Sequence, residues 1–149
     1  MFKGTNRFIW VGGIVLCVAV GCLFLSVQGR GNIWQAYSQQ KLQEAINQHK
    51  PVIIDFSAQW CYGCRQLDRI VFSNPKIKAE FSQGIALRLD ATNIDAPVIA
   101  AIIDQYNVIG LPTVVFLDRA GHEIKEARVE GAGSVKEFEK SLQMWKDKR

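Results

Sequence analysis

The sequence predicts an α/β domain, a mixed β-sheet flanked by helices on both faces, preceded by one N-terminal transmembrane helix. Three observations carry this reading. Short apolar runs rich in β-branched residues alternate with amphipathic segments along residues 40–149, the pattern of strands and helices layered on one core. Proline, glycine and asparagine punctuate the joins between them. Residues 8–27 form 20 consecutive positions without a charge; as a helix they would measure about 30 Å, the thickness of a bilayer's hydrocarbon core.

The chain of 149 residues therefore divides into a cytoplasmic N-terminus (1–7), a membrane anchor or uncleaved signal (8–27), a linker (28–39) and one domain (40–149). Lys3 and Arg7 precede the span, so the positive-inside rule keeps them in the cytoplasm and sends the domain outward. Two other readings stay open. A cleaved signal peptide has a shorter apolar stretch, roughly 7–15 residues, and a small-residue cleavage site. Ala19-Val20-Gly21-Cys22 is a loose match to a lipidation signal, although Leu23-Phe24-Leu25 carries the apolar run onward. Otherwise Cys17 and Cys22 are small apolar residues of a span. All three readings place the domain on the periplasmic, extracytoplasmic side of the plasma membrane.

Within the domain, Leu42, Ala45 and Ile46 share one face of a helix over 38–48, and Pro51 stops it. Val52-Ile53-Ile54-Asp55-Phe56 is a buried strand. A brief turn carries Cys61 and Cys64, and a helix runs over 65–72. Ser73-Asn74-Pro75 breaks it, with Pro75 at the first position of another helix reaching Phe81. A strand over 85–90, a helix over 96–106 and a strand over 113–117 follow. Asp118-Arg119-Ala120-Gly121 turns the chain into a strand over 123–129 that forms a hairpin with its predecessor. Ser134-Val135-Lys136-Glu137 is a capping box opening a last helix to about residue 146.

The net charge is +4; from Arg30 onward 16 basic residues face 14 acidic ones, leaving +2. The signs are interspersed, so no basic stripe for nucleic acid is expected. The chemistry concentrates in Trp60-Cys61-Tyr62-Gly63-Cys64, where a strand gives way to a helix. A cysteine at a helix N-terminus is favoured as thiolate, and a thiolate attacks disulfide sulfur. Cys61 is the candidate nucleophile. Cys64, one turn on, is the candidate resolving thiol. Competing readings are weak. A structural zinc needs four ligands, and 28–149 offers only these two cysteines with His49 and His122. Haem attachment needs His after the second cysteine, and Arg65 stands there. A purely structural bridge closes too small a loop to stabilise much. No metal and no cofactor beyond the redox-active Cys61–Cys64 disulfide are expected.

Two acids are candidate members of the site. Asp55 lies inside an apolar strand, where burial would raise its pKa and make it a proton acceptor for Cys64. Asp68 stands one turn beyond Cys64 on the same helix face, where its charge would oppose thiolate formation. Gly110-Leu111-Pro112-Thr113 is read as a cis-proline loop. Leu111 would offer backbone groups to an extended substrate chain. Trp60, Tyr62 and Gly63, with Leu111 and Pro112, are the candidate substrate-binding residues.

Together these residues resemble the thioredoxin superfamily, over about residues 42–144. The stretch from Asp55 to Cys61 matches that family's acid-to-cysteine spacing, and 110–113 its cis-proline segment. Lys50-Pro51-Val52, Val71-Phe72-Ser73-Asn74-Pro75 and Asn107-Val108-Ile109-Gly110-Leu111-Pro112-Thr113 are similar to the C-terminal periplasmic domains of the DsbD interchange-protein family. In those domains two acids flank the cysteines, at the positions of Asp55 and Asp68. The resemblance implies a reductant: a membrane-embedded thiol donor of the DsbD or CcdA type supplies electrons, and periplasmic disulfide-containing proteins receive them. A monomer is expected. The superfamily's lysine beside the buried acid has no match; Ala86 takes its place, with Arg88 nearby.

A protein-disulfide reductase is thus the leading expectation. A dedicated cytochrome c maturation factor, a disulfide oxidase or isomerase, and a Cu(I)- or Zn-binding module remain as alternatives. Tyr62-Gly63 supplies no histidine to stabilise a thiolate, which favours a low potential over an oxidant's.

Overall fold

The computed structural model describes residues 33–149. The predicted span at 8–27 lies outside them; among the described residues no helix is long and apolar enough to cross a membrane. Five strands form one sheet in the order β1-β3-β2-β4-β5. They are β1 (Gln35–Ala36), β2 (Val52–Ser57), β3 (Ile85–Asp90), β4 (Thr113–Leu117) and β5 (Val129–Glu130). β3 runs parallel to β1 and β2, and β4 antiparallel to β2 and β5. The mixed sheet is therefore as expected.

The helices are α1 (Gln39–Asn47), α2 (Tyr62–Leu67), α3 (Pro75–Phe81), α4 (Pro97–Gln105) and α5 (Val135–Lys148). Their starts follow local chemistry. Ser38 accepts from Lys41 N–H at α1, and Asn74 from Lys76 N–H at α3. Pro75 and Pro97 occupy first-turn positions where no N–H is needed. Ser134 and Glu137 close the reciprocal capping box of α5.

Side-chain alternation on β2 divides the core. Ile53 faces a cluster with Phe72, Phe81, Phe116, Phe138 and Trp145. Val52, Ile54 and Phe56 face the other side, with Leu42, Leu87, Tyr106 and Val115. Trp145 is fully buried and its indole N–H donates to the Leu117 carbonyl at 3.0 Å. Each sheet face is thus sealed by helices, which leaves the C-terminal end of β2 as the place where chemistry reaches the surface.

Three boundaries differ from expectation. The stretch 28–39 contains β1, and Trp34 is buried against Phe72 and Phe81; two residues of strand are too few to show a period. The helix after the cysteines begins at Tyr62 rather than 65, and residues 68–72 widen into a π-helical turn (Asp68–Phe72). The predicted strand over 123–129 survives as a bridge between Leu117 and Glu123, a 3₁₀ turn (Lys125–Ala127) and the short β5. Ile124 and Ala127 are both buried, a spacing of three that suits a 3₁₀ turn and not a strand.

Candidate functional site

The cysteine pair sits at the junction of β2 and α2. Cys61 is the N-cap of α2 and its Sγ accepts the Cys64 backbone N–H at 3.0 Å. Hydrogen bonding of this kind favours the charged form of the sulfur it reaches. The two sulfurs are bonded to each other, with Cα atoms 5.3 Å apart. Both cysteines are buried and pack with Ala58 and Leu111. Their neighbours are not: Trp60 is 56% and Tyr62 76% exposed. Large exposed aromatics beside a buried disulfide mark the face that a partner would meet.

That face is braced from the next loop. The Trp60 indole N–H donates to the Thr92 carbonyl at 2.9 Å, and Gln59 N–H to the Thr92 hydroxyl at 3.0 Å. Thr92 in turn bonds Asp90. Arg65 donates to the Gln59 carbonyl at 2.7 Å and lies over the Tyr62 ring. Sequence reading missed Arg65 and Thr92 as braces; Asp90-Ala91-Thr92 after a strand was their available signal.

The Leu111–Pro112 peptide is cis, as expected. Pro112 abuts the cysteine turn so closely that a Cβ on Gly63 would lie 3.0 Å from its Cδ. Glycine at 63 therefore lets the loop approach. Leu111 lies just beyond the last β2–β4 pair, Phe56 with Thr113. Cys61, Cys64, Trp60, Tyr62, Gly63, Leu111 and Pro112 are thus gathered at one end of the sheet.

The two acids lie beneath. Asp55 is 1% exposed, and burial pushes its pKa up to about 7 against the opposing pull of Arg88, with the Asp68 charge adding to the rise. Its Oδ2 accepts from Arg88 Nε at 2.6 Å; its Oδ1 is buried without a hydrogen-bond partner. Asp68, 41% exposed, accepts from Arg88 Nη2 at 2.6 Å. Asp68, Arg88 and Cys64 line one open cleft of about 370 Å³. The sequence reading puts Ala86 in the place of the superfamily's lysine, with Arg88 nearby; the residue that meets the acid is Arg88. Ala86 is opposite Ile53, whereas Arg88 is directly opposite Asp55. Strand register, invisible in spacing along one chain, decides which residue meets the acid.

A site of this kind can exchange disulfides. Among the described residues no three His, Cys, Asp or Glu side chains gather as a metal site requires.

Known proteins agree with this geometry. The DsbD interchange protein of Photorhabdus laumondii is 34% identical over 112 residues, covering 75% of this chain and 19% of its own. That of Yersinia pestis is 36% identical over 96 residues, 64% of this chain and 16% of its own. The chain thus spans less than a fifth of the length of these curated relatives. The fold is shared with the oxidised C-terminal domain of Neisseria meningitidis DsbD, at TM-score 0.58 and 22% identity over 74% of this chain and 92% of that one. It is shared also with a thioredoxin of Thermus thermophilus, at TM-score 0.62 and 24% identity over 75% and 86%. Residues 38–145 match the family described as the thioredoxin-like domain, and the chain belongs to that family.

Proposed function

We propose that this protein is a membrane-anchored, extracytoplasmic protein-disulfide reductase working by dithiol–disulfide exchange through Cys61 and Cys64. The observation that carries the reading is the Cys61–Cys64 pair at a helix N-terminus, against Pro112, with the buried carboxyl of Asp55 below. In the reduced protein, the Cys61 thiolate attacks one sulfur of a substrate disulfide. A Cys61–substrate bond forms, the substrate disulfide breaks, and one substrate thiolate leaves. Asp55 takes the Cys64 proton, and the Cys64 thiolate attacks Cys61 Sγ. The second substrate thiolate leaves and the Cys61–Cys64 disulfide forms. Two electrons have passed to the substrate.

Similarity to DsbD supports a membrane-embedded thiol donor of the DsbD or CcdA type and periplasmic disulfide proteins as acceptors; the uncharged run at 8–27, preceded by Lys3 and Arg7, supports an anchor. The Cys64 N–H on Cys61 Sγ supports Cys61 as nucleophile. Replacement of Cys64 by serine removes the resolving step, so Cys64→Ser should accumulate mixed disulfides through Cys61 that reductant releases. Capture of nothing by that variant, together with inert wild type, would refute the mechanism. A reduction potential above about −150 mV, in the range of periplasmic oxidants, would overturn the reductase direction.

A further inference from the structure

We propose that Arg128 is a positioning residue for substrate docking: paired with Glu123, it fixes the entrance of the loop 107–112 that presents Leu111 and Pro112 beside the cysteine pair. This rests on the reductase reading and deepens it. It concerns how a protein substrate is held, apart from the exchange of sulfurs.

The loop leaves α4 by a defined exit. Asn107 takes a left-handed φ of 48°. Its N–H donates to the Asp104 carbonyl, and Val108 N–H donates to the Ile103 carbonyl, both at 3.0 Å. This pair of reversed bonds closes many helices. Neither bond uses the Tyr106 carbonyl, and Arg128 Nη2 donates to it at 2.7 Å. A cation is favoured there by the dipole of the helix end.

Arg128 is itself held. Its Nε and Nη2 reach the two oxygens of Glu123 at 2.7 and 3.0 Å, the fork-to-carboxylate geometry that fixes a guanidinium plane. The two side chains are 16% and 18% exposed. Glu123 is bridged to Leu117 at the end of β4, and Arg128 directly precedes β5. The exit of the loop is tied to the same sheet edge. Gly131 N–H donates to the Pro112 carbonyl at 2.8 Å, and Thr113, paired with Glu130, donates its hydroxyl to the Gly110 carbonyl at 2.7 Å. Arg128 and Gly131, separated by Val129 and Glu130, thus hold the loop at its entrance and its exit. Between these ties Ile109 is 94% exposed, and Leu111 packs on Cys61 and Cys64. A loose entrance would displace these docking groups, while the cysteines, seated between β2 and α2, would stay in place. A lysine at 128 is a point charge and cannot serve carboxylate and carbonyl from one fixed plane.

The test is single-turnover reduction by the full, pre-reduced chain in detergent, carrying Cys17→Ser and Cys22→Ser so that Cys61 and Cys64 are its only thiols. Rates are read against concentration for insulin and for a small aromatic disulfide. Each turnover passes two electrons from the dithiol to one disulfide. Arg128→Met should lower the efficiency with insulin relative to the small disulfide by about tenfold, as displaced docking groups do. The loss should lie in the half-saturating insulin concentration and not in the limiting rate. Arg128→Lys should stand part-way. Glu123→Gln, isosteric and able to keep one bond to Arg128, should move the ratio in the same direction by less. Lys148→Gln breaks the exposed Lys148–Glu126 pair and removes the same charge, yet should leave the ratio at the wild-type value. A merely structural loss slows both disulfides alike. Equal slowing, an unmoved ratio, a loss confined to the limiting rate, complete rescue by lysine, or an equal shift in Lys148→Gln would overturn the proposal. Glu123→Gln decides the matter alone should Arg128→Met not fold. Wild type inert toward both disulfides would overturn the reductase reading and this role with it; active wild type with unmoved variants overturns this role only.

Discussion

Substitution of Asp55 by asparagine tests whether the buried acid is a base poised for use or a polar strand residue. The carboxyl passes from an ordinary value of 3.8 to about 7 on folding, chiefly through burial. The folded protein therefore binds this proton more tightly than the unfolded chain. Its contribution to stability is complete below about pH 3.8 and is lost as pH rises through about 7. At about 1.4 kcal/mol per pH unit, the loss across that window is roughly 4 kcal/mol. Asparagine carries no such proton, and its oxygen can still accept the Arg88 Nε–H. Urea unfolding of the oxidised protein from pH 4 to 9 gives the comparison, because disulfide-bonded cysteines do not titrate. Asp55→Asn should match wild type near pH 4 and exceed it by several kcal/mol at pH 8.5. Parallel profiles, or a variant less stable than wild type at pH 8.5, would refute the assignment. The same substitution should slow resolution of mixed disulfides near neutrality, so a more stable protein would be a slower one.

Other perturbations separate packing from chemistry. Gly84→Ala places a Cβ 2.5 Å from the Pro51 carbonyl oxygen and 2.9 Å from Trp145; overpacking against backbone should cost about 1–3 kcal/mol in denaturant unfolding. Gly110→Ala, with nothing within 4 Å of the added carbon, should stay within about 0.5 kcal/mol of wild type. Trp145→Ala empties a fully buried site and strands the Leu117 carbonyl, at about 3–5 kcal/mol by the same measurement. Ser134→Ala removes the hydroxyl that accepts the Glu137 N–H, while the backbone N–H at 134 still reaches the Glu137 carboxylate, and should cost about 1 kcal/mol. Gly63→Val presses on Pro112; it should lower kcat/KM for insulin by more than for a small aromatic disulfide, which needs less of the docking face.

Much of this was legible in the sequence because it rests on local rules. Strand β2 announces itself in four apolar residues interrupted by one acid, and α5 in a capping box. The cysteine pair and the Gly110–Thr113 loop are fixed by residue type and spacing. What escaped depends on neighbours distant in the chain. Two-residue strands such as β1 and β5 have no period to detect. Residues 123–129 look like a strand because Glu123, Ile124 and Lys125 begin an alternation that Ala127, Arg128 and Val129 resume, yet Ile124 and Ala127 are a pair that turns inward. Trp34 reads as linker because its partners, Phe72 and Phe81, lie more than thirty residues away.

Arg88 is the instructive case. Along the chain, Ala86 and Arg88 are equally plausible partners for Asp55, since both fall on the Ile53 face of the sheet. Only the parallel register, Asp55 with Arg88 and Ile53 with Ala86, distinguishes them. A slip of two residues would preserve every inward and outward side chain and still exchange a cation for a methyl group beside the buried acid. The apolar pattern therefore specifies the sheet's faces but leaves this contact to the packing of Trp34 and Phe72 about the guanidinium. Variation at 34 or 72 should for that reason be felt at Cys64 through Arg88, although neither aromatic lines the cleft that holds the sulfur.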